Sequence, residues 1–240
     1  MAGLQFEIAE LVKEIKALRD ISKGFLEPGT IGKLDEIKVL IEQIWNASEG
    51  SEFSLKFEDL KTVPSKGAYE WGGRRGGLSV YALISGRWDV KLLGYSSGKG
   101  KTRAGRKLEF CGNVSTTVEV RESGNNNCVV KWNMDIATTD SPGCYFHIQI
   151  PNQIPIPRIP SLFVTPMGAI EFVIGEMFQE EWEKATSGGT ANPAYWRALQ
   201  AKRLKTLLLW QRGVLEGILS TPWMALKRAK PNGELFLDEK

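Results

Sequence analysis

The sequence predicts an α+β fold: an N-terminal helical hairpin, an antiparallel β-meander of about six strands, and a C-terminal helical pair. Three observations predict it. Apolar residues recur at three- and four-residue steps through the first fifty positions. The period then changes to two from about residue 52, with turn residues at short intervals. Proline-led apolar segments with a helical period return after residue 165.

Leu4, Ile8, Leu11, Ile15 and Leu18 form the stripe of the first helix, with Glu and Lys between them. Glu10 and Glu14 stand four apart within it, a like-charge pair. Gly24 and Pro28-Gly29 are read as its end, and Thr30 as the N-cap of a second helix carrying Leu34, Ile37, Leu40, Ile41 and Ile44. Two such helices over residues 1–50 make an amphipathic hairpin, expected to serve docking or self-association.

Phe53, Leu55 and Phe57 open the alternating region. Strand-like runs follow near 78–84, 88–95, 107–111, 114–121, 128–136 and 144–150. Their separators, Ser85-Gly86, Ser96-Ser97-Gly98, Gly112-Asn113, Ser123 to Asn127 and Asp140 to Gly143, read as turns. Short strands without intervening helices point to antiparallel pairing. The four prolines of 151–160 exclude a helix or a central strand and predict an extended crossover. Thr165-Pro166 is an N-cap followed by proline at the first helical position, and Gly188-Gly189 closes that helix. Asn192-Pro193 starts a long helix to about residue 219, and Thr221-Pro222 a short one. The expected organisation is a hairpin over 1–50, a core domain over 52–230 and a tail over 231–240.

Composition bounds the function. The chain has 240 residues, 42% hydrophobic and 25% charged, as a folded domain requires. No apolar run reaches the roughly 20 residues that span a bilayer. Residues 1–7 carry no apolar leader core, so a secreted protein is not expected. Cys111, Cys128 and Cys144 are an odd count without Cys-x-x-Cys spacing, which argues against a disulfide framework or zinc knuckle and for buried free thiols in the cytoplasm. With one histidine, a His-rich metal centre is impossible, and neither a metal nor another cofactor is expected.

Charge is strongly segregated under a net +3. Residues 1–60 hold 7 Lys/Arg against 12 Asp/Glu, residues 61–107 hold 11 against 2, and residues 197–230 hold 8 against 1. Lys99, Lys101, Arg103, Arg106 and Lys107 fall within nine positions among glycines, and Arg74-Arg75 sits between glycine pairs. Basic side chains on a glycine-rich loop suit a phosphate backbone, because each neutralised phosphate releases counterions. Trp71, Trp88 and Tyr95 are candidate stacking platforms. The run Gly94 to Thr102 fails the P-loop spacing, having three residues rather than four before Gly98-Lys99, and a strand-like rather than helical sequence follows. Arg197, Lys202, Arg203, Lys205 and Arg212 read as the solvated face of a helix, and so do Glu171, Glu176, Glu180, Glu181 and Glu183.

His147 sits in a strand run, on the polar face beside Tyr145 and Gln149, with Phe146, Ile148 and Ile150 opposite. Asp135 and Asp140 lie close upstream. The first expectation is a binding protein that contacts nucleic acid or another polyanion through Arg74, Arg75, Lys99, Lys101, Arg103, Arg106 and Lys107. The alternatives are a phosphodiester-directed hydrolase using His147 with Asp135 or Asp140, and a protein-interaction subunit or homo-oligomer docking through residues 4–45.

Overall fold

The computed structural model describes residues 3–65, 67, 77–95, 105–137, 144–150, 158–217 and 219–237. The chain begins with a strand, β1 (Gln5–Glu7), and continues into α1 (Ile8–Ile21) and α2 (Pro28–Ile44). Strands β2 (Glu52–Lys61), β3 (Val80–Tyr95), β4 (Arg106–Glu122), β5 (Cys128–Ile136), β6 (Phe146–Gln149) and β7 (Arg158–Pro160) follow. Helices α3 (Pro166–Ser187), α4 (Ala191–Glu216) and α5 (Pro222–Arg228) complete it.

The strands form one antiparallel sheet in the order β2-β3-β4-β5-β6-β7, with β1 also on β4. On the side of β4 away from β3, β1 covers Lys107–Glu109 and β5 covers Val114–Arg121. Along β4, Leu108, Phe110, Val114, Thr116 and Val118 are buried, while Glu109, Cys111, Ser115, Thr117 and Glu119 between them are partly exposed. The period of two thus splits the sheet into an apolar face and a polar one. α1 and α3 pack against β4, α2 against β2, and α4 against α1 and α3.

The hairpin predicted from the first fifty residues is present, and its apolar stripes are used within the chain. Leu11, Ile15 and Leu18 of α1 and Leu34, Ile37, Ile41 and Ile44 of α2 belong to the same buried cluster as the sheet, α3 and α4. Each such side chain removed from water contributes about 1.5–3 kcal/mol. Leu40 departs from the predicted stripe and is exposed together with Val39. The cluster runs from Leu4 to Phe236, whose ring stacks on Phe6 at 5.8 Å.

Several local expectations are corrected. Pro28-Gly29 opens α2 rather than ending its predecessor, because proline at the first helical turn loses no hydrogen bond. Thr30 is not the cap; its hydroxyl bonds the carbonyls of Glu27 and Lys61 and ties the helix start to β2. Ser85-Gly86 and Gly112-Asn113 are not turns, so four expected strands merge into β3 and β4. Gly86 is in mid-strand because the Phe57 ring lies over it: a Cβ there would stand 2.2 Å from that ring. Gly112, at φ +57°, sits in a bulge where one residue separates Trp88 from Val90 and three separate Phe110 from Val114. The Asp89 carboxylate fills that bulge and accepts from Asn113 N at 2.9 Å. Seven strands result among the described residues, because Gln5–Glu7 and Arg158–Pro160 also pair. Pro160 is tolerated because β7 ends the strand order. Thr165 caps α3 as predicted, accepting from Gly168 N at 3.3 Å, and Thr221 caps α5.

Candidate functional site

The polar face of the sheet carries the single histidine. Register places Ser115 of β4, Asp135 of β5 and His147 of β6 in one cross-strand row. Thr117, Asn133, Gln149 and Arg158 form the next. Directly opposed residues on one face stand about 4.5–5.5 Å apart at Cβ, which puts neighbouring side chains of each row within reach of one another. Ser115 Oγ donates to Asp135 Oδ1 at 2.5 Å, and the Thr117 hydroxyl bonds Asn133 Oδ1 at 3.0 Å.

His147 is only 4% exposed. Its Nδ1 lies 2.8 Å from the Cys144 carbonyl, and its Nε2 lies 3.6 Å from Asp135 Oδ2. A carbonyl accepts only, so Nδ1 carries the proton and, in the neutral ring, Nε2 presents its lone pair. Burial pushes the imidazole below its ordinary value, and Arg158 acts in the same direction. Asp135 and the Cys144 carbonyl oppose them. At pH 7 the ring is therefore neutral, a proton acceptor at Nε2. Ser115 bonds the carboxylate and not the imidazole, so the nucleophile–base–acid order of a hydrolytic triad is absent. Asp140 lies outside the described residues. Tyr145 departs from the predicted polar face. It packs on Phe146 at 5.0 Å, and burial pushes its hydroxyl to about 12.

Of the basic residues singled out from the sequence, Arg74, Arg75, Lys99, Lys101 and Arg103 lie outside the described residues, as do Trp71 and the region of the failed P-loop from Ser96 to Thr102. Arg106 is described and is 8% exposed. Its guanidinium donates to the Trp45 carbonyl and, at 3.1 Å, to the Ala47 carbonyl, binding the root of β4 to the end of α2. Lys107 stands 3.6 Å from Glu234. Gly77, three positions before β3 begins at Val80, and Tyr95, which ends β3, are the described residues nearest the two basic clusters on their β3 sides. At about 3.3 Å per residue, the ends of this strand of 16 residues are roughly 50 Å apart. Trp88 is buried against Phe57 at 5.6 Å and offers no stacking surface.

The helical face holds a polar cluster that sequence reasoning missed. Arg203 of α4, read as part of a solvated basic face, is 2% exposed. Its guanidinium donates to Glu14 of α1 and, at 2.7 Å, to Glu10. Glu14 Oε1 also accepts from Thr165 Oγ1 at 2.9 Å and Gln200 Nε2 at 3.1 Å. The like-charge pair of α1 is thus explained by a cation 189 positions away. A signal existed: position 203 is in phase with the buried Trp196, Leu199 and Leu207. Glu171, read as wet, accepts from Trp196 Nε1 at 2.6 Å, and burial raises its carboxyl above the ordinary range. Glu176, Glu180, Glu181 and Glu183 are exposed as expected.

Among the described residues no three His, Cys, Asp or Glu side chains are grouped to hold a metal ion, and no helix is long and apolar enough to cross a membrane. The three thiols are free. Cys128 is exposed, contrary to the expectation of burial, as are the three residues that follow it in β5. Cys111, among Glu52, Asp89 and Glu109, is pushed up to about 11 chiefly by burial. No protein-family model, curated protein or solved structure matches this chain.

Proposed function

We propose that this is a cytoplasmic binding protein that engages a polyanion, nucleic acid above all, through the basic residues joining β3 to β4. The supporting observation is the setting of Lys99, Lys101 and Arg103: they join the two longest strands of the sheet. These strands are paired from Val80 and Glu122 at one end to Tyr95 and Arg106 at the other. A ladder of that length is a firm support for a cationic connection. Arg106 and Lys107 serve it differently, since both have partners within the chain. They root the connection, and the three residues beyond them are left as the phosphate contacts. Arg74 and Arg75 precede Val80 in the chain, and on this reading they supply a second set of contacts.

The test is fluorescence anisotropy with labelled single- and double-stranded DNA and RNA across a salt series. Replacing Lys99, Lys101 and Arg103 by Gln should weaken binding to all sequences and flatten the log–log salt slope by about 3. No binding at the lowest salt, or binding indifferent to the triple variant, removes the reading.

A second reading, phosphodiester hydrolysis, rests on the 3.6 Å approach of His147 Nε2 to Asp135. It requires that His147→Ala abolish cleavage of nucleic acid while the melting temperature stays near that of the parent protein. Cleavage that survives the substitution, or a variant that merely melts early, assigns the histidine to the architecture.

A further inference from the structure

A cavity of about 340 Å³ opens between α3, α4 and the segment that leads into α3. That volume lies within the 300–1,000 Å³ range of small-molecule sites. Leu162, Phe163, Val164, Phe172 and Leu204 supply most of its wall. The Phe163 and Phe172 rings are 4.7 Å apart and present an aromatic corner. Three polar side chains interrupt this wall: Glu171, Gln200 and Arg203.

Their hydrogen bonds leave a defined remainder. Gln200 uses its amide nitrogen on Glu14. Its Oε1 faces Gly168, which also lines the cavity, at 3.6 Å from where a Cβ would stand. Arg203 gives both terminal nitrogens to Glu10 and Glu14, and its buried Nε has no acceptor among the described residues. A buried donor without a partner costs about 1–3 kcal/mol. The wall therefore combines a large apolar area with the Gln200 amide oxygen and one unmet donor, beside a Glu171 carboxylate already engaged by Trp196 Nε1.

Charge narrows the class of ligand. The one cation at the wall is already matched by two carboxylates. An anionic ligand would face the Glu171 carboxylate with no unmatched cation beside it, and a cationic one would find Glu171 engaged by Trp196 Nε1 and the Arg203 guanidinium in the same wall. We propose that this cavity binds a small, uncharged apolar molecule carrying one group that both donates and accepts a hydrogen bond. Its apolar body lies against Phe163 and Phe172, and its polar group meets Gln200 Oε1 and Arg203. The site is on the helical side of the sheet and is independent of the basic connection between β3 and β4.

N-phenyl-1-naphthylamine is a suitable probe of the apolar body and of the Gln200 contact, being neutral, apolar, fluorescent on desolvation and equipped with one donating N–H. Titrated into the full chain, it should give a saturable rise with one site per molecule. Ala201→Phe places a ring at the cavity from an exposed helical position and should weaken binding at least tenfold with the melting temperature unchanged. Leu162→Asp, at the exposed rim outside any helix, should weaken it as well. No saturable signal overturns the proposal, and so does affinity unchanged in both variants. Light scattering that finds a dimer which Ala201→Phe splits would also overturn it, assigning the groove to contact between copies of the chain.

Discussion

Glu14 of α1 and Arg203 of α4 form an ion pair in which the side chains are 0% and 2% exposed. Glu10, Thr165 and Gln200 complete the cluster, so one guanidinium ties the first helix to the last long one and to the cap of α3. Taking both charges out of water is costly, and the pair persists because each ion has several partners. Removing one member leaves the other buried and uncompensated. Arg203→Ala should lose about 3–5 kcal/mol of stability in urea unfolding. The triple change Glu10→Gln, Glu14→Gln, Arg203→Met should recover most of that. Equal losses in both proteins would mean that the lost hydrogen bonds of the guanidinium, and not the charges stranded by Arg203→Ala, account for the destabilisation.

Gly86 tests the packing between β2 and β3. A methyl group there meets the buried Phe57 ring, itself edge-on to Trp88 at 5.6 Å. Overpacking of this kind costs about 1–3 kcal/mol. Gly86→Ala should shift the urea midpoint accordingly, and the double change with Phe57→Leu should cost less than the sum of the two single ones.

Arg106 and Lys99 separate architecture from binding. Arg106→Ala leaves the Trp45 and Ala47 carbonyls without their charged donor and should cost about 1–3 kcal/mol. On the proposed function, Lys99→Ala should reduce affinity for nucleic acid and leave stability within about 0.5 kcal/mol. Thermal melts and anisotropy on the same two proteins check both halves.

His147 makes stability depend on pH in a defined direction. Its folded value is depressed below 6.5, so the unfolded chain takes up the proton more readily. The stability it confers is present above pH 6.5 and is lost as the pH falls toward the folded value. The melting temperature should fall on acidification from pH 7 to 5, and His147→Gln should flatten that fall. An unchanged slope would place the acid sensitivity elsewhere.

Glu171 has the opposite sign. Burial raises its folded value above 4.5, against the pull of the Trp196 and Trp182 donors. Its stabilising share is present below pH 4.5 and lost as the pH rises through the folded value. Glu171→Gln keeps an oxygen for Trp196 Nε1 and removes the buried charge. It should melt above the parent protein at pH 8, with the difference shrinking at pH 4.

The sequence carried the elements that depend on neighbours a few residues away. The stripe of α1, the Thr165-Pro166 start of α3, the Gly188 break and the alternating faces of β4 follow from helical and strand periods and from capping. It also carried the polar placing of His147 and its proximity to Asp135, because a short turn between two strands leaves few registers. What it misread depends on distant partners. Gly86 looks like a turn until the Phe57 ring is placed over it, and Pro28-Gly29 looks like a stop until Lys61 supplies the far end of the Thr30 contact. Arg203 looks solvated until Glu10 and Glu14 arrive from the other end of the chain. Local periodicity sets which face of an element is apolar, since that costs one helix or strand at a time. The fate of a charge on that face depends on whether a counter-ion is delivered to it, and only the packing of α1 against α4 delivers one.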